Sequence, residues 1–368
     1  MPATGTPTRQ PAVSVIIPAR NEEACLRTCL QSLIAQAGVA FEIIVVNDHS
    51  TDRTREIASS FSDQQVRVID AGLLPASWTG KNNAVHAGSR VARGEWLLFT
   101  DSDTIHQPGS LARSVEEAKR HNVAVLSYSP EQIVKSFWEK AVMPVIFADL
   151  AASFRPSKVS DPDSPVAAAN GQYILITSEA YGAVGGHAAI AGNLLEDVAL
   201  ARAVKRSGRK IFFRFGGDAV RTRMYRTFAQ LREGWTKNLA LLFPSPLRLA
   251  TLRTIEFVLI LASFAIAIAN VLRGHWQPAI LAGMLGGILY TFLLMRIRRA
   301  HFSWDANILA LIGLPLFSYL LLRSKLFHKR GNVSWKDRRY PGSQESATPS
   351  SQPDSTMQEN HGLSHAQS

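Results

Sequence analysis

The chain has 368 residues, 46% of them hydrophobic and 19% charged, with a net charge of +11. That is room for one large α/β domain and a smaller second part. The charge excludes nucleic acid as a partner once it is located: residues 243–340 carry 13 Lys/Arg against 3 Asp/Glu, +10 of the +11, and this excess flanks apolar segments, as cations facing lipid headgroups do.

Residues 1–11 are polar, include Pro2 and Pro7, and hold no apolar run of signal-peptide length, so the chain is expected to begin disordered and in the cytosol. A buried strand is predicted at 13–17. Pro18-Ala-Arg-Asn-Glu22 then turns into a helix running to about Gln36, with Leu26, Leu30, Leu33 and Ile34 on one side. Cys25 and Cys29 lie four apart on that helix without the spacing or histidine partners of a zinc site, and read as buried thiols. A second strand at 41–46 ends in Asn47-Asp-His-Ser-Thr-Asp52, where Ser50 or Thr51 can cap a helix over 53–61. A third strand at 66–69 leads through Leu74-Pro-Ala-Ser-Trp-Thr-Gly80 to a helix over 81–90. This alternation predicts a parallel-type sheet with helices on both faces. The loop after the first strand lacks Gly-x-Gly-x-x-Gly, which argues against a nicotinamide enzyme, and no Gly-Lys-Ser/Thr loop follows a strand, which argues against a P-loop nucleotidase.

Gly94-Glu-Trp-Leu-Leu-Phe-Thr-Asp-Ser-Asp103 carries the clearest chemical signal. Residues 96–100 read as a fully buried strand, and two carboxylates, Asp101 and Asp103, stand where it stops. The ligand crevice of an open parallel sheet lies outside the carboxyl ends of its strands, so both acids are expected to face a bound molecule. Oxygen ligands so placed suit Mg2+ or Mn2+ carrying a phosphate-rich substrate. Asp161 and Asp163 repeat the spacing among prolines, where no strand delivers them, and read as solvated loop.

Residues 136–155 present a broad apolar face bordered by Lys135, Lys140 and Arg155. That suits a helix in the membrane interface, bent at Pro144, or an ordinary core helix. A strand at 172–177, a helix at 194–207 opened by Leu195-Glu-Asp197, a strand at 211–215 and a helix at 225–242 complete a globular domain over residues 12–242. A membrane domain at 253–325 follows, with apolar segments at 255–272, 278–295 and 307–322, and residues 341–368 read as a disordered tail. Three crossings would put the tail opposite the globular domain, yet the basic residues from Arg323 to Arg339 are a cytoplasmic signal. The third segment, interrupted by Gly313 and Pro315, is the candidate for a re-entrant or interfacial stretch.

Taken together, Glu22, Asp48, Lys81 and the Asp101/Asp103 pair resemble the family 2 glycosyltransferases of the GT-A fold. Within that family, Leu74-Pro-x-x-Trp-x-Gly-Lys81, Gly185-Gly-His187, the Glu196-Asp197 pair and the C-terminal membrane segments look most like hopene-associated and carotenoid glycosyltransferases, with ceramide glucosyltransferases similar in layout. The resemblance implies a GT-A domain at the cytosolic face of the cell membrane and an inverting transfer from a nucleotide-sugar donor, uracil being the expected base, to a lipid acceptor. It implies donor contacts from Pro18, Glu22, Asp48, Lys81 and Asp101, a metal held by Asp101 and Asp103, Asp197 as general base, and acceptor contacts from Glu196, Trp235 and His187. Gln230-Leu-Arg-Glu-Gly-Trp235 departs from the family's Gln/Arg-x-x-Arg-Trp element. Two other readings stand beside this one: transfer to a polyprenyl phosphate, whose anionic acceptor needs cations more than a base, and a non-catalytic membrane scaffold of the same fold.

Overall fold

The computed structural model describes residues 11–331, 333–335 and 338–340; the expected disordered tail and all but one residue of the expected disordered N-terminus lie outside them. Strand and helix alternate at once: β1 (Val13–Ala19), α1 (Leu26–Ile34), β2 (Phe41–Asn47), α2 (Thr54–Ser59), β3 (Val66–Asp70), α3 (Gly80–Val91) and β4 (Trp96–Phe99). Next come β5 (Thr104–His106), α4 (Ser110–Arg120), β6 (Val125–Ser129), β7 (Glu131–Gln132), α5 (Phe137–Ser153), α6 (Pro156–Ser160), β8 (Ile174–Thr177), α7 (Ser178–Ala183), α8 (Glu196–Arg206), β9 (Ile211–Phe215), β10 (Val220–Thr222) and α9 (Phe228–Leu242). Three long helices, α10 (Pro246–Leu272), α11 (Trp276–Ile297) and α12 (Trp304–Lys329), precede a hairpin of β11 (Val333–Trp335) and β12 (Arg338–Tyr340).

Seven strands form one sheet in the order β3-β2-β1-β4-β8-β6-β9. Helices cover both faces, which is why runs such as Ile43, Ile44, Val45 and Val46 are apolar without alternation and fully buried. Leu26, Leu30 and Leu33 of α1 pack with Val13, Val15 and Ile17 on one face. Ala84 and Val85 of α3 pack with Ile16 and Ile44 on the other. The contact with α3 is close: a Cβ on Gly88 would lie 2.6 Å from Ile16 Cγ2.

The sheet is mixed, not wholly parallel. β8 runs antiparallel to both β4 and β6, with Ile174 opposite Phe99 and Leu175 opposite Leu126. An apolar run carries no sign of its direction, so the sequence pattern could not show this reversal. Its consequence is functional, because the amino end of β8 comes to the edge where β1 and β4 end. The sequence reading also passed over β5, β7 and β10, which make a small second sheet. Neither Ser50 nor Thr51 caps α2; Asp52 Oδ1 accepts from the Thr54 amide at 2.9 Å. Asp161 and Asp163 lie in a loop, as expected.

Of the two places expected for helix α5, a membrane surface or the protein core, it takes the second. It starts in a capping box of Ser136 and Glu139 and passes through Pro144 without ending. Its Val142, Met143, Val145 and Ile146 are buried in a cluster with Leu231 and Trp235 of α9 and Leu314 and Phe317 of α12. Only Phe137 and Trp138 among its large apolar side chains are exposed. The third apolar segment covers the face that was assigned to lipid. Gly313, read from the sequence as an interruption, lies within the continuous α12 and is where α5 and α12 meet: a Cβ there would sit 1.9 Å from the Ala141 carbonyl oxygen.

Gly313→Ala should therefore force these helices apart and destabilise the protein by about 1–3 kcal/mol, the range for overpacking. Thermal unfolding in detergent would read this as a lowered midpoint, and an unchanged midpoint would show that the two backbones do not approach so closely.

Candidate active site

The edge of the sheet where β1, β2 and β4 end gathers most of the residues singled out in the sequence. Strand order reverses between β2-β1 and β4, the position at which open α/β sheets form a crevice. Pro18, in β1, and Asp101, beyond β4, line a small cavity there with Lys81, Gly171, His187 and Glu196.

Lys81 sits in the first turn of α3, where a cation opposes the helix dipole. Two carboxylates compensate: its Nζ lies 2.8 Å from Asp101 Oδ1 and 2.6 Å from Glu196 Oε1. Burial alone would lower the Lys81 pKa, but the charges of Asp101 and Glu196 outweigh it and hold the ammonium protonated well above its usual range. Glu196 is held below its usual value, because Lys81 and then Lys237 overcome the effect of burial.

Asp197 behaves oppositely. Burial, then the charge of Glu196, pushes it up to about 6 against the pull of Lys81 and two amides. Those amides fix the carboxylate: Gly171 N–H donates to Oδ2 at 3.0 Å and Val198 N–H to Oδ1 at 2.8 Å. Gly171 arrives on the antiparallel approach to β8. A Cβ on it would lie 3.0 Å from Lys81 Nζ and 3.2 Å from Glu196 Oε1, close enough that both ends would have to shift by a few tenths of an ångström.

One asparagine keeps α3 and α8 in register. The Asn82 amide donates to the carbonyls of Ile190, Ala191 and Asn193, at 3.0, 2.7 and 3.1 Å, in the loop that leads to α8. Thr79 caps α3 through the Asn82 amide, and its own amide donates to Ala191 O at 2.9 Å. Lys81 and Glu196 thus come from helix starts tied through one loop. The Asp101–Asp103 loop is held as firmly: Thr104 Oγ1 donates to Asp101 O at 2.7 Å and Thr222 Oγ1 to Asp103 O at 3.3 Å.

Two carboxylates at a strand end, with oxygen donors only, fit Mg2+ or Mn2+. No group of three His, Cys, Asp or Glu among the described residues is gathered to hold an ion.

Asp48 is 4% exposed and meets the fork of Arg338, with Nη1 at 2.5 Å from Oδ2 and Nη2 at 2.9 Å from Oδ1. Glu22 stands in the loop after β1 and accepts from Cys25 Sγ at 3.1 Å. Beside Arg338 opens a second cavity of about 620 Å3, walled by Leu74, Trp78, Leu195, Val198, Arg202 and Leu241.

Trp235 does not reach this site. Its ring is 2% exposed in the α5–α9 core, with Nε1 3.4 Å from Met143 Sδ and its edge toward Phe147 and Tyr225, so an acceptor contact from it is withdrawn. His187 forms part of the cavity wall. Burial lowers its pKa to about 4, and its Nδ1 pairs with Tyr181 OH at 2.9 Å, so it is neutral at pH 7 and already partnered. Arg223 is taken up by Glu139 at 3.1 Å. Lys237 was missed: it lies about 200° around α9 from Trp235 and is close enough to Glu196, Asp101 and Asp197 to feel their charges, while burial lowers its pKa. Its signal in the sequence is helical phase, since Leu241, one turn on, lines the larger cavity.

Residues 14–175 match the family model described as "Glycosyl transferase family 2". Over 346 residues the chain is 28% identical to the 4,4'-diaponeurosporenoate glycosyltransferase of Staphylococcus aureus strain USA300, covering 91% of this chain and 89% of that protein. The same enzyme from strain MRSA252 is 29% identical over 349 residues, with the same coverage. Among solved structures, the mannosyltransferase PcManGT from Pyrobaculum calidifontis, in complex with GDP-Man and Mn2+, is 17% identical over 87% of this chain and 88% of its own, with a TM-score of 0.48. S. aureus TarS 1-349, in complex with UDP-GlcNAc, is 15% identical over 90% of this chain and 99% of its own, with a TM-score of 0.43.

Lys81→Met should leave Asp101 and Glu196 facing each other without their cation. The expected loss is on the order of 1–3 kcal/mol, less than for a fully buried pair because the Lys81 side chain is 33% exposed. Glu196 has its pKa lowered in the fold, so its stabilisation is present above the unfolded value near 4.3 and lost as pH falls below it. The difference between wild type and Lys81→Met in denaturant unfolding should therefore be full at pH 7.5 and shrink below about pH 4. Equal stability at pH 7.5 would show that the cluster does not form.

Proposed function

We propose that this family 2 glycosyltransferase moves a sugar, with inversion, from a nucleoside-diphosphate donor to the hydroxyl or carboxyl of a lipid at the membrane face. The observation that carries the reading is the cluster in which Lys81 joins Asp101 to Glu196 while Asp197, the next residue, turns both oxygens to fixed amides. The relatives in Staphylococcus aureus are named for a carotenoid acid, an apolar acceptor, and the cavity beside the cluster is walled by Leu74, Trp78, Leu195, Val198 and Leu241. Three helices long and apolar enough to span a bilayer follow in the same chain, which supports a lipid acceptor.

In this reading Pro18 and Glu22 face the donor nucleoside, Asp48 meets it when the fork of Arg338 is released from its two oxygens, and Asp101 and Asp103 would hold Mg2+ or Mn2+. The ion, when bound, neutralises charge on the leaving diphosphate. Lys81 and Lys237 add fixed positive charge at the same place. Asp197 accepts the proton of the attacking hydroxyl as the acceptor oxygen bonds to the anomeric carbon and the bond to the diphosphate breaks on the opposite side. Its raised pKa makes it a stronger base than an ordinary carboxylate while leaving it ionised at pH 7.

Purified enzyme in detergent with Mn2+ and a panel of nucleotide sugars should release nucleoside diphosphate faster when membrane lipid is added. Asp197→Asn should lower that rate by about 10²- to 10⁴-fold. Tolerance of Asp197→Asn would favour an anionic polyprenyl-phosphate acceptor, and no release or nucleotide binding with any donor would sink the enzyme reading.

A pH profile supplies a separate check. With Asp197 acting as base, kcat/KM should rise through about pH 6 and level off above it. Because its folded pKa is raised, its stabilisation is present below the unfolded value near 3.9 and lost as pH rises through 6. Wild type should therefore lose stability relative to Asp197→Asn between about pH 4 and pH 6, since the Asn side chain does not titrate. A difference between the two that stays flat over that range would show that burial and Glu196 do not raise Asp197.

A further inference from the structure

Helix α12 is long enough to cross a bilayer, but its surroundings differ from those of α10 and α11. The most apolar stretch of α12 is 50% buried within the protein, against 11% and 17% for the other two. At its start, Asp305 Oδ2 lies 2.6 Å from Lys140 Nζ on α5. Near its end, Ser324 Oγ donates to Thr236 O at 2.6 Å and accepts from Ala240 N–H at 2.8 Å, and His328 Nε2 is 2.8 Å from Lys237 O. Both ends are therefore fastened to α5 and α9, of which α9 brings Lys237 to the candidate active site.

What remains uncovered on α12 is one line: Trp304, Ile308, Ile312, Tyr319, Leu322 and Leu326 are exposed, at spacings that keep them on one face. A helix crossing lipid beside a protein would have both ends on opposite sides of the membrane. This one leaves a single apolar stripe uncovered, with Arg298 stacked over Trp304 at one end and Arg323, Lys325, Lys329 and Arg330 at the other. Cations at both ends suit a spanning helix equally, so what sets α12 apart is its covered side, which lies along α5, α9 and the start of α10, where Ser318 Oγ donates to Ala250 O at 3.0 Å.

The remaining helices return to their starting side. Arg253, near the start of α10, and Arg296, near the end of α11, share Glu256 Oε2 at 2.9 and 2.8 Å, and Arg253 also reaches Asp149 of α5 at 2.6 Å. Past α12, Arg338 grips Asp48 at the edge of the main sheet. A chain that had crossed three times would emerge a membrane thickness away from Asp48.

We infer that this chain crosses the bilayer twice, through α10 and α11, and that α12 lies in the plane of the same leaflet with its Trp304-to-Leu326 stripe on the acyl region. The inference holds whether or not the chain transfers a sugar to lipid.

The test uses the full chain in cells. Cysteines introduced one at a time at Glu95, at His275 in the α10–α11 turn and after Ser368, in a Cys25→Ser background whose remaining Cys29 is fully buried, are labelled with a membrane-impermeant thiol reagent before and after permeabilisation. Glu95 and the tail should share one labelling class and His275 the other. A tail labelled with His275, or all three labelled alike, overturns the inference. Nitroxides at Ile308, Ile312, Tyr319 and Leu326, all exposed, provide a second readout in reconstituted bilayers. Equal immersion depths are expected, and a steady gradient through the bilayer along the helix would overturn the in-plane position.

Discussion

A single ammonium group holds the site's geometry. Lys81 stands at a helix start, where the dipole disfavours it, and is kept there by two carboxylates from distant parts of the chain. One belongs to the loop after β4 and the other to the start of α8, so the ion pair sets the distance between the strand edge and the helix carrying Asp197. The same cation depresses Glu196, and the resulting negative charge is one of the two causes that raise Asp197. Two adjacent carboxylates thus acquire opposite character: one is committed to the pair, the other kept basic. A side chain at residue 171 would press on the ends of Lys81 and Glu196, which suits a glycine where the backbone has no need of positive φ.

This dependence clarifies what the sequence could and could not disclose. Lys81 and Asp101 were legible because each stands at the end of a strand or the start of a helix, where polar residues interrupt an apolar pattern; Glu196 and Asp197 were singled out by the family resemblance, since acids at a helix start are ordinary. Gly171 and Lys237 were not, for two different physical reasons. Gly171 reaches the site only because β8 runs antiparallel, and apolar runs give no direction. Lys237 reaches it by helical phase. The Gln230-to-Trp235 stretch drew notice to Trp235, but the packing of α9 on α5 turns that ring into the core and the opposite side toward Glu196. A motif gives residue types in order, whereas the rotation of a helix about its axis is set by what it packs against.

The apolar segments show the same limit. Length and composition treat α10, α11 and α12 alike, since each is long and apolar enough to span. They differ in partner. α11 packs mainly on α10, and both leave most of their surface apolar and bare, whereas α12 lies along α5, α9 and α10 and is half covered. Covering α5 with α12 moves the apolar outer surface outward by one layer, so the face that residues 136–155 present in the sequence is spent on protein contacts.

Placing α12 against α5 and α9 also joins the membrane part to the site by short paths. Ser324 and His328 bond the backbone of α9 at Thr236, Ala240 and Lys237, and the hairpin just beyond α12 carries Arg338 to Asp48. The cavity beside the cluster is therefore walled partly by residues whose positions depend on how α12 sits: Leu241 on α9 and Arg338 on the hairpin. That wall is complete only when α12 is in place. Under the proposed function, access to Asp197 and the seating of α12 are then two aspects of the same packing, which is a physical reason to carry the long apolar helices in one chain with the sheet.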